Sequence, residues 1–222
     1  LIFLVLVELC RSPTTALGGA LVYAFGTLVW SVTSRGLWQH GPSLLLINGA
    51  LLLLVRRNGA QLPWAGLLLG LAVFNRPTNV LLAIPLGLYV LVHHRERLLR
   101  FAAAAALPMA AMVLYSALVL GSATALGQGQ GMRFSGDPLG GLLGILFSPA
   151  RGLFVFTPVF LLSLLVLPRV LKGTTGHPIV RYLVVGTLAL VGLYAFWPIW
   201  WGGHSFGYRL LIEVIPAFTV LL

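Results

Sequence analysis

The chain is an almost unbroken succession of apolar segments, each closed by a short polar turn, and that repetition leaves few folds open to it. Leu1 to Leu9, Thr14 to Ser31, Leu37 to Val55, Leu62 to Phe74, Thr78 to Val92, Phe101 to Leu120, Gly152 to Leu167 and Tyr182 to Trp201 follow one another, and Leu210 begins a further run. A helix needs roughly 20 apolar residues to cross a bilayer, so the pattern predicts an all-α, polytopic transmembrane helix bundle of about eight spans or part-spans. The chain reads as one transmembrane domain over 1–222, with 121–151 as an extracytoplasmic loop inside it. It begins and ends within apolar runs and lacks an initiating methionine, so a fragment incomplete at both ends is expected.

Charge gives the orientation. Of the 14 Lys and Arg residues, nine fall in alternate turns: Arg11, Arg56, Arg57, Arg95, Arg97, Arg100, Arg169, Lys172 and Arg181. The positive-inside rule assigns those turns to the cytoplasm. The other five, Arg35, Arg76, Arg133, Arg151 and Arg209, occur one to a motif on the opposite face, where topology has no use for them. The Leu62–Phe74 and Thr78–Val92 arms are short, and two tilted spans are preferred to a re-entrant hairpin, which would bury Arg76 in mid-membrane at high cost. A net charge of +10 does not point to nucleic acid. Binders of nucleic acid gather basic residues on a soluble face, whereas here most lie beside hydrophobic spans and suit anionic lipid headgroups. With 59% hydrophobic and 8% charged residues and a mean hydropathy of +1.00, soluble globular classes are excluded. Cys10 is the single cysteine, so there is neither an internal disulfide nor a cysteine pair for a metal.

Several features have structural explanations. Gly66 and Gly70 form a small-xxx-small pair expected to let two helices approach closely. Pro85, Pro108, Pro158 and Pro198 are expected inside spans as tolerated kinks. Trp30, Trp38, Trp64, Trp197, Trp200 and Trp201 lie near segment ends and suit an interfacial aromatic belt. The Gly127–Gly131 repeat lacks the strand and the Lys-Ser/Thr of a nucleotide loop.

The outward turns are harder to explain structurally. Ser34-Arg35-Gly36-Leu37-Trp38-Gln39-His40-Gly41 is the first and Asn75-Arg76-Pro77-Thr78-Asn79 the second. The long loop holds Gln128, Gln130, Arg133 and Asp137, and closes on Ser148-Pro149-Ala150-Arg151-Gly152. Trp200-Trp201-Gly202-Gly203-His204-Ser205-Phe206-Gly207-Tyr208-Arg209 is the last. Guanidinium binds phosphate through two parallel hydrogen bonds, and glycine lets a backbone come close to a ligand. The candidate substrate-binding residues are therefore Arg209, Arg151, Arg133, Arg76, Arg35, His204, Gln128 and Gln130. Arg209 and Arg151 rank first for a phosphate because each is placed at an expected helix start.

In order and spacing these four motifs resemble bacterial multi-pass glycosyltransferases of the GT-C superfamily, relatives of the protein mannosyltransferases and of the aminoarabinose transferase that modifies lipid A. The resemblance covers roughly Ala16 to Leu222. It implies a membrane glycosyltransferase moving a sugar from a polyprenyl-phosphate donor to an extracytoplasmic lipid, glycan or protein acceptor, in the bacterial inner membrane. Such enzymes keep a catalytic aspartate in an early outer loop, which implies a position upstream of Leu1. His40 and Asp137 are weak catalytic candidates within the chain, and a divalent metal is a possible cofactor. A lipid-linked oligosaccharide flippase and a non-catalytic membrane scaffold are the alternatives.

Overall fold

The computed structural model describes residues 1–33, 36, 38–56, 59–122, 136–203 and 206–222, and among them every regular element is helical. In chain order these are α1 (Ile2–Cys10), α2 (Pro13–Phe25), α3 (Val29–Thr33), α4 (His40–Val55), α5 (Leu62–Asn75), α6 (Val80–His93), α7 (Leu98–Val119), α8 (Pro138–Phe147), α9 (Leu153–Phe156), α10 (Ser163–Leu171), α11 (Pro178–Ala195) and α12 (Ile215–Val220). Short 3-10 turns at Pro77–Asn79, Pro158–Leu161 and Arg209–Val214 join some of them.

Capping chemistry sets several starts. The Ser12 hydroxyl accepts from Thr15 N–H ahead of Pro13, and the Asp137 carboxylate accepts from Leu139 and Gly140 N–H ahead of Pro138. In each case a proline opens the helix, where its missing N–H costs no hydrogen bond. The small-xxx-small pair packs as expected. A Cβ added at Gly66 would overlap the Phe101 carbonyl oxygen, and one at Gly70 the Ala105 carbonyl oxygen, so α5 and α7 touch backbone to backbone. Gly186 brings α11 against the Leu81 carbonyl of α6 in the same way, with 2.7 Å left for a Cβ. Ile47, Leu51, Leu54, Leu86, Leu190 and Leu211 fill the centre with almost no exposure.

The elements depart from the sequence expectation where proline or glycine intervenes. Among the described residues two helices are long and apolar enough to cross a membrane by length and composition, Arg95–Val119 and Pro178–Ala195; α4, α5, α6 and α8 are shorter apolar helices. The all-α expectation holds among the described residues, and of the expected eight spans or part-spans two have crossing length. Thr14–Ser31 is interrupted after Phe25 at Gly26. Gly152–Leu167 is broken into α9, a 3-10 turn and α10, because Pro158 offers no N–H and drives Thr157 out of the helical region, to φ −137° and ψ 69°. Pro198 likewise lies beyond the end of α11, while Pro85 and Pro108 do stay inside helices. The expected loop over 121–151 contains α8, seated against α11 with Gly141 at the Ala195 carbonyl.

Contacts between turns give the bundle two distinct ends. At one, Asn75 Nδ2 donates to Gln39 O at 2.7 Å, Leu28 N–H donates to the Tyr208 hydroxyl at 3.3 Å, and Gly136 N–H donates to Phe196 O at 3.3 Å. At the other, Arg56 Nε lies 3.3 Å from Glu8 Oε1, and His93 and Tyr182 pack around Tyr89. Between the ends the outer surface is apolar: Leu99, Leu107, Leu114 and Leu118 of α7 and Leu165 of α10 are each more than half exposed.

Candidate anion-binding site

The turn from Trp200 to Arg209 is built on glycine. Gly202, Gly203 and Gly207 adopt φ values of 73°, 72° and 59°, a region that side-chain-bearing residues rarely enter. A Cβ at Gly207 would also overlap Leu28, so this turn can close onto the α2–α3 junction only through glycine. The Tyr208 hydroxyl pins it there, 2.6 Å from Thr157 Oγ1 as well as accepting from Leu28 N–H. Burial pushes that phenol up to about 12, so it stays protonated at neutral pH.

Arg151 and Arg209 meet on this turn. Arg151 Nη2 donates to Gly203 O at 3.1 Å, and Arg209 Nη2 donates to Gly202 O at 3.1 Å. The indole of Trp38 covers the Arg209 guanidinium, its ring centre 4.7 Å from Cζ. Burial first, then the Arg76 and Arg151 charges, hold Arg209 below the usual arginine value. Among the described residues neither Arg151 nor Arg209 has a carboxylate within 4.0 Å, and Arg209 Nε is buried without a hydrogen-bond partner. The cleft between them, walled by Ile145, Trp200, Trp201 and Tyr208, holds about 10 Å³, which is room for roughly one water. An anion must therefore reach these guanidiniums by displacing Trp38 or from the open side.

The helix-start argument for these two arginines does not carry over. Arg151 precedes a helix of 4 residues, and Arg209 opens a 3-10 turn in which Leu211 leaves helical geometry. Their attraction for an anion comes from paired guanidinium charge.

Arg76 is placed differently. It is 3% exposed, donates through Nη1 to Glu213 Oε2 at 2.5 Å and through Nη2 to the Tyr194 hydroxyl at 2.5 Å. Tyr194 passes the chain on to Thr78 Oγ1 at 3.2 Å. His40 Nδ1 lies 3.1 Å from Glu213 Oε1 and 2.9 Å from Arg76 Nη1, and His40 is 2% exposed. The guanidinium fork is thus filled by the protein, and the cluster ties α4, the Asn75–Asn79 turn, α11 and the Arg209–Val214 turn together. Asp137, the other catalytic candidate, spends both carboxylate oxygens capping α8. Arg35, Gln128, Gln130, Arg133 and His204 lie outside the described residues. Among the described residues no group of three His, Cys, Asp or Glu gathers to hold a metal.

Sequence reasoning missed Glu213 as the partner of Arg76. The available signal was a lone acid within an apolar run, which in such a setting calls for a buried partner. Compared with protein-family models, with curated proteins and with solved structures, the chain has no match.

Proposed function

We propose that the chain belongs to a polytopic membrane glycosyltransferase of the GT-C kind, which transfers a sugar from a polyprenyl-phosphate donor to an acceptor at the extracytoplasmic face. One observation supports the reading: Arg151 and Arg209, from segments far apart in sequence, converge on the Gly202–Gly203 turn, with no carboxylate within 4.0 Å among the described residues. In glycosyl transfer from such a donor the departing group is a lipid phosphate, and fixed cations stabilise the charge that develops on it. The apolar outer surface supports placement in a bilayer, where a soluble protein would expose a very large sticky area. Arg76 is not assigned to the donor, because Glu213 already neutralises it. The general base that activates the acceptor hydroxyl is not assigned to His40 or Asp137, since both have structural partners.

The test is sugar transfer from a polyprenyl-phosphate donor by the full-length protein in membranes, at equal abundance of each variant. Arg209→Ala should slow transfer by roughly 30- to 1000-fold, the loss expected for one charge-assisted donor to a developing anion. Arg209→Lys should recover part of that, keeping the charge without the fork. Transfer by Arg209→Ala at the wild-type rate would leave Arg209 as an interfacial anchor and remove the main support for this function.

A further inference from the structure

The bundle end opposite Arg151 and Arg209 holds a cavity of about 590 Å³ whose lining includes Glu8, Arg11, Arg56, Gln61 and His177. That size falls within the roughly 300–1,000 Å³ typical of ligand pockets. Arg11 follows the last turn of α1 in the left-handed region, at φ 54°, the only described non-glycine residue with positive φ. This conformation ends α1 and keeps Arg11 at the cavity. Arg56 caps α4 from the other side, and its Nε meets Glu8 Oε1 at 3.3 Å. Arg11 has no carboxylate within 4.0 Å among the described residues, so two guanidiniums share a space with one carboxylate. A cation at each helix C-terminus is explained by the helix dipole. The open volume between the two cations is not.

We propose that this cavity binds a phosphate-bearing anion, gripped by Arg11 and Arg56, with Glu8 as the group the phosphate displaces from Arg56. Two guanidinium forks match phosphate oxygens in geometry as well as charge. The phosphate can come from a lipid headgroup or from a free compound, since the recognising chemistry is the same. The proposal does not rest on glycosyl transfer, for the cavity shares no residue with the Arg151–Arg209 cluster.

Native mass spectrometry of the purified chain in detergent, mixed with phosphatidylglycerol or phosphatidylcholine, reads lipid retention directly. Thermal unfolding with added pyrophosphate in lipid-free micelles reads the free-phosphate case. At least one of phosphatidylglycerol and pyrophosphate should bind the wild type, and phosphatidylcholine should bind neither tightly nor selectively. Arg11→Ala combined with Arg56→Ala should weaken that binding at least about 10-fold, as expected when charge-assisted forks are lost. Glu8→Gln should strengthen it by about 3-fold, by releasing Arg56 from an exposed pair of small worth. Arg95→Ala combined with Arg100→Ala removes the same charge from exposed positions outside the cavity and should leave binding unchanged. Binding of phosphatidylglycerol alone identifies a lipid headgroup as the source, and binding of pyrophosphate alone a soluble one. The proposal is overturned if neither probe binds, if phosphatidylcholine binds equally, if the Arg11/Arg56 variant binds as wild type, or if the Arg95/Arg100 variant loses as much.

Discussion

At the scale of single residues, the chain uses the same side chain in two opposite ways. Arg76 and Arg209 both stand in turns at one end of the bundle, flanked by proline, glycine or aromatics, and sequence alone ranks them by backbone setting. What separates them is burial and partnership: Arg76 is enclosed and neutralised by Glu213, whereas Arg209 keeps a buried, unpartnered Nε. The Arg76–Glu213 pair then behaves as buried ion pairs do. Removing one partner strands the other as an uncompensated charge, at a cost of about 3–5 kcal/mol, while replacing both with apolar groups of similar size is close to neutral. Arg76→Met and Glu213→Leu should each lower unfolding stability in detergent by that amount. The double variant should regain most of the loss, a coupling readable as a double-mutant cycle. Additive losses would mean that the two side chains act independently, and that the cluster around His40 and Tyr194 does not depend on their pairing.

At the scale of helices, close approach is set by missing side chains. Gly70 faces a backbone carbonyl of α7, which cannot swing aside as a side-chain tip would. Gly70→Ala should therefore cost about 1–3 kcal/mol in unfolding stability, the range for overpacking a tight contact. Gly192→Ala is the control, because a Cβ there meets nothing within 4 Å, and its stability should stay within about 0.5 kcal/mol of wild type. Equal losses at both positions would mean that general helix properties, not the α5–α7 contact, decide the outcome. This contact was legible in the sequence because Gly66 and Gly70 lie one helical turn apart. So was the α5–α6 turn, where Arg76-Pro77 cannot continue a helix. The breaks at Gly26 and Pro158 were harder to read, since proline and glycine inside an apolar run are compatible with either a kink or a stop. Neighbouring contacts decide between these, and at Thr157 the hydrogen bond to Tyr208, some fifty residues away, favours the break. Convergence of Arg151 on Arg209 depends on similar long-range closure through positive-φ glycines, which spacing along the chain does not encode.

At the scale of the whole molecule, the turns sort by end as the charge count does. Glu8, Arg11, Arg56, Arg97 and His177 gather at one end, while the Asn75–Asn79 turn, Arg151 and Arg209 gather at the other. Exposed tryptophans mark both ends, Trp64 at the first and Trp30, Trp38 and Trp201 at the second. Amphipathic rings at the two ends of an apolar band are what headgroup layers favour. The helix lengths set a tension with that picture, since among the described residues α7 and α11 alone are long enough to cross unaided. Shorter helices can still lie at membrane depth where they are enclosed by neighbours, which is where the buried faces of α4 and α5 sit. From the positive-inside rule we propose that the Arg11–Arg56 end faces the cytoplasm. In a Cys10→Ser background, single cysteines at Gln39 and Ala150 should react in intact cells with a membrane-impermeant thiol reagent. Cysteines at Glu96 and Thr174 should react only after the membrane is opened. All four positions are exposed, so burial cannot explain a failure to label. Reaction at Glu96 and Thr174 in intact cells, with Gln39 and Ala150 silent, would invert the bundle. The Arg151–Arg209 cluster would then face the cytoplasm, away from any extracytoplasmic acceptor.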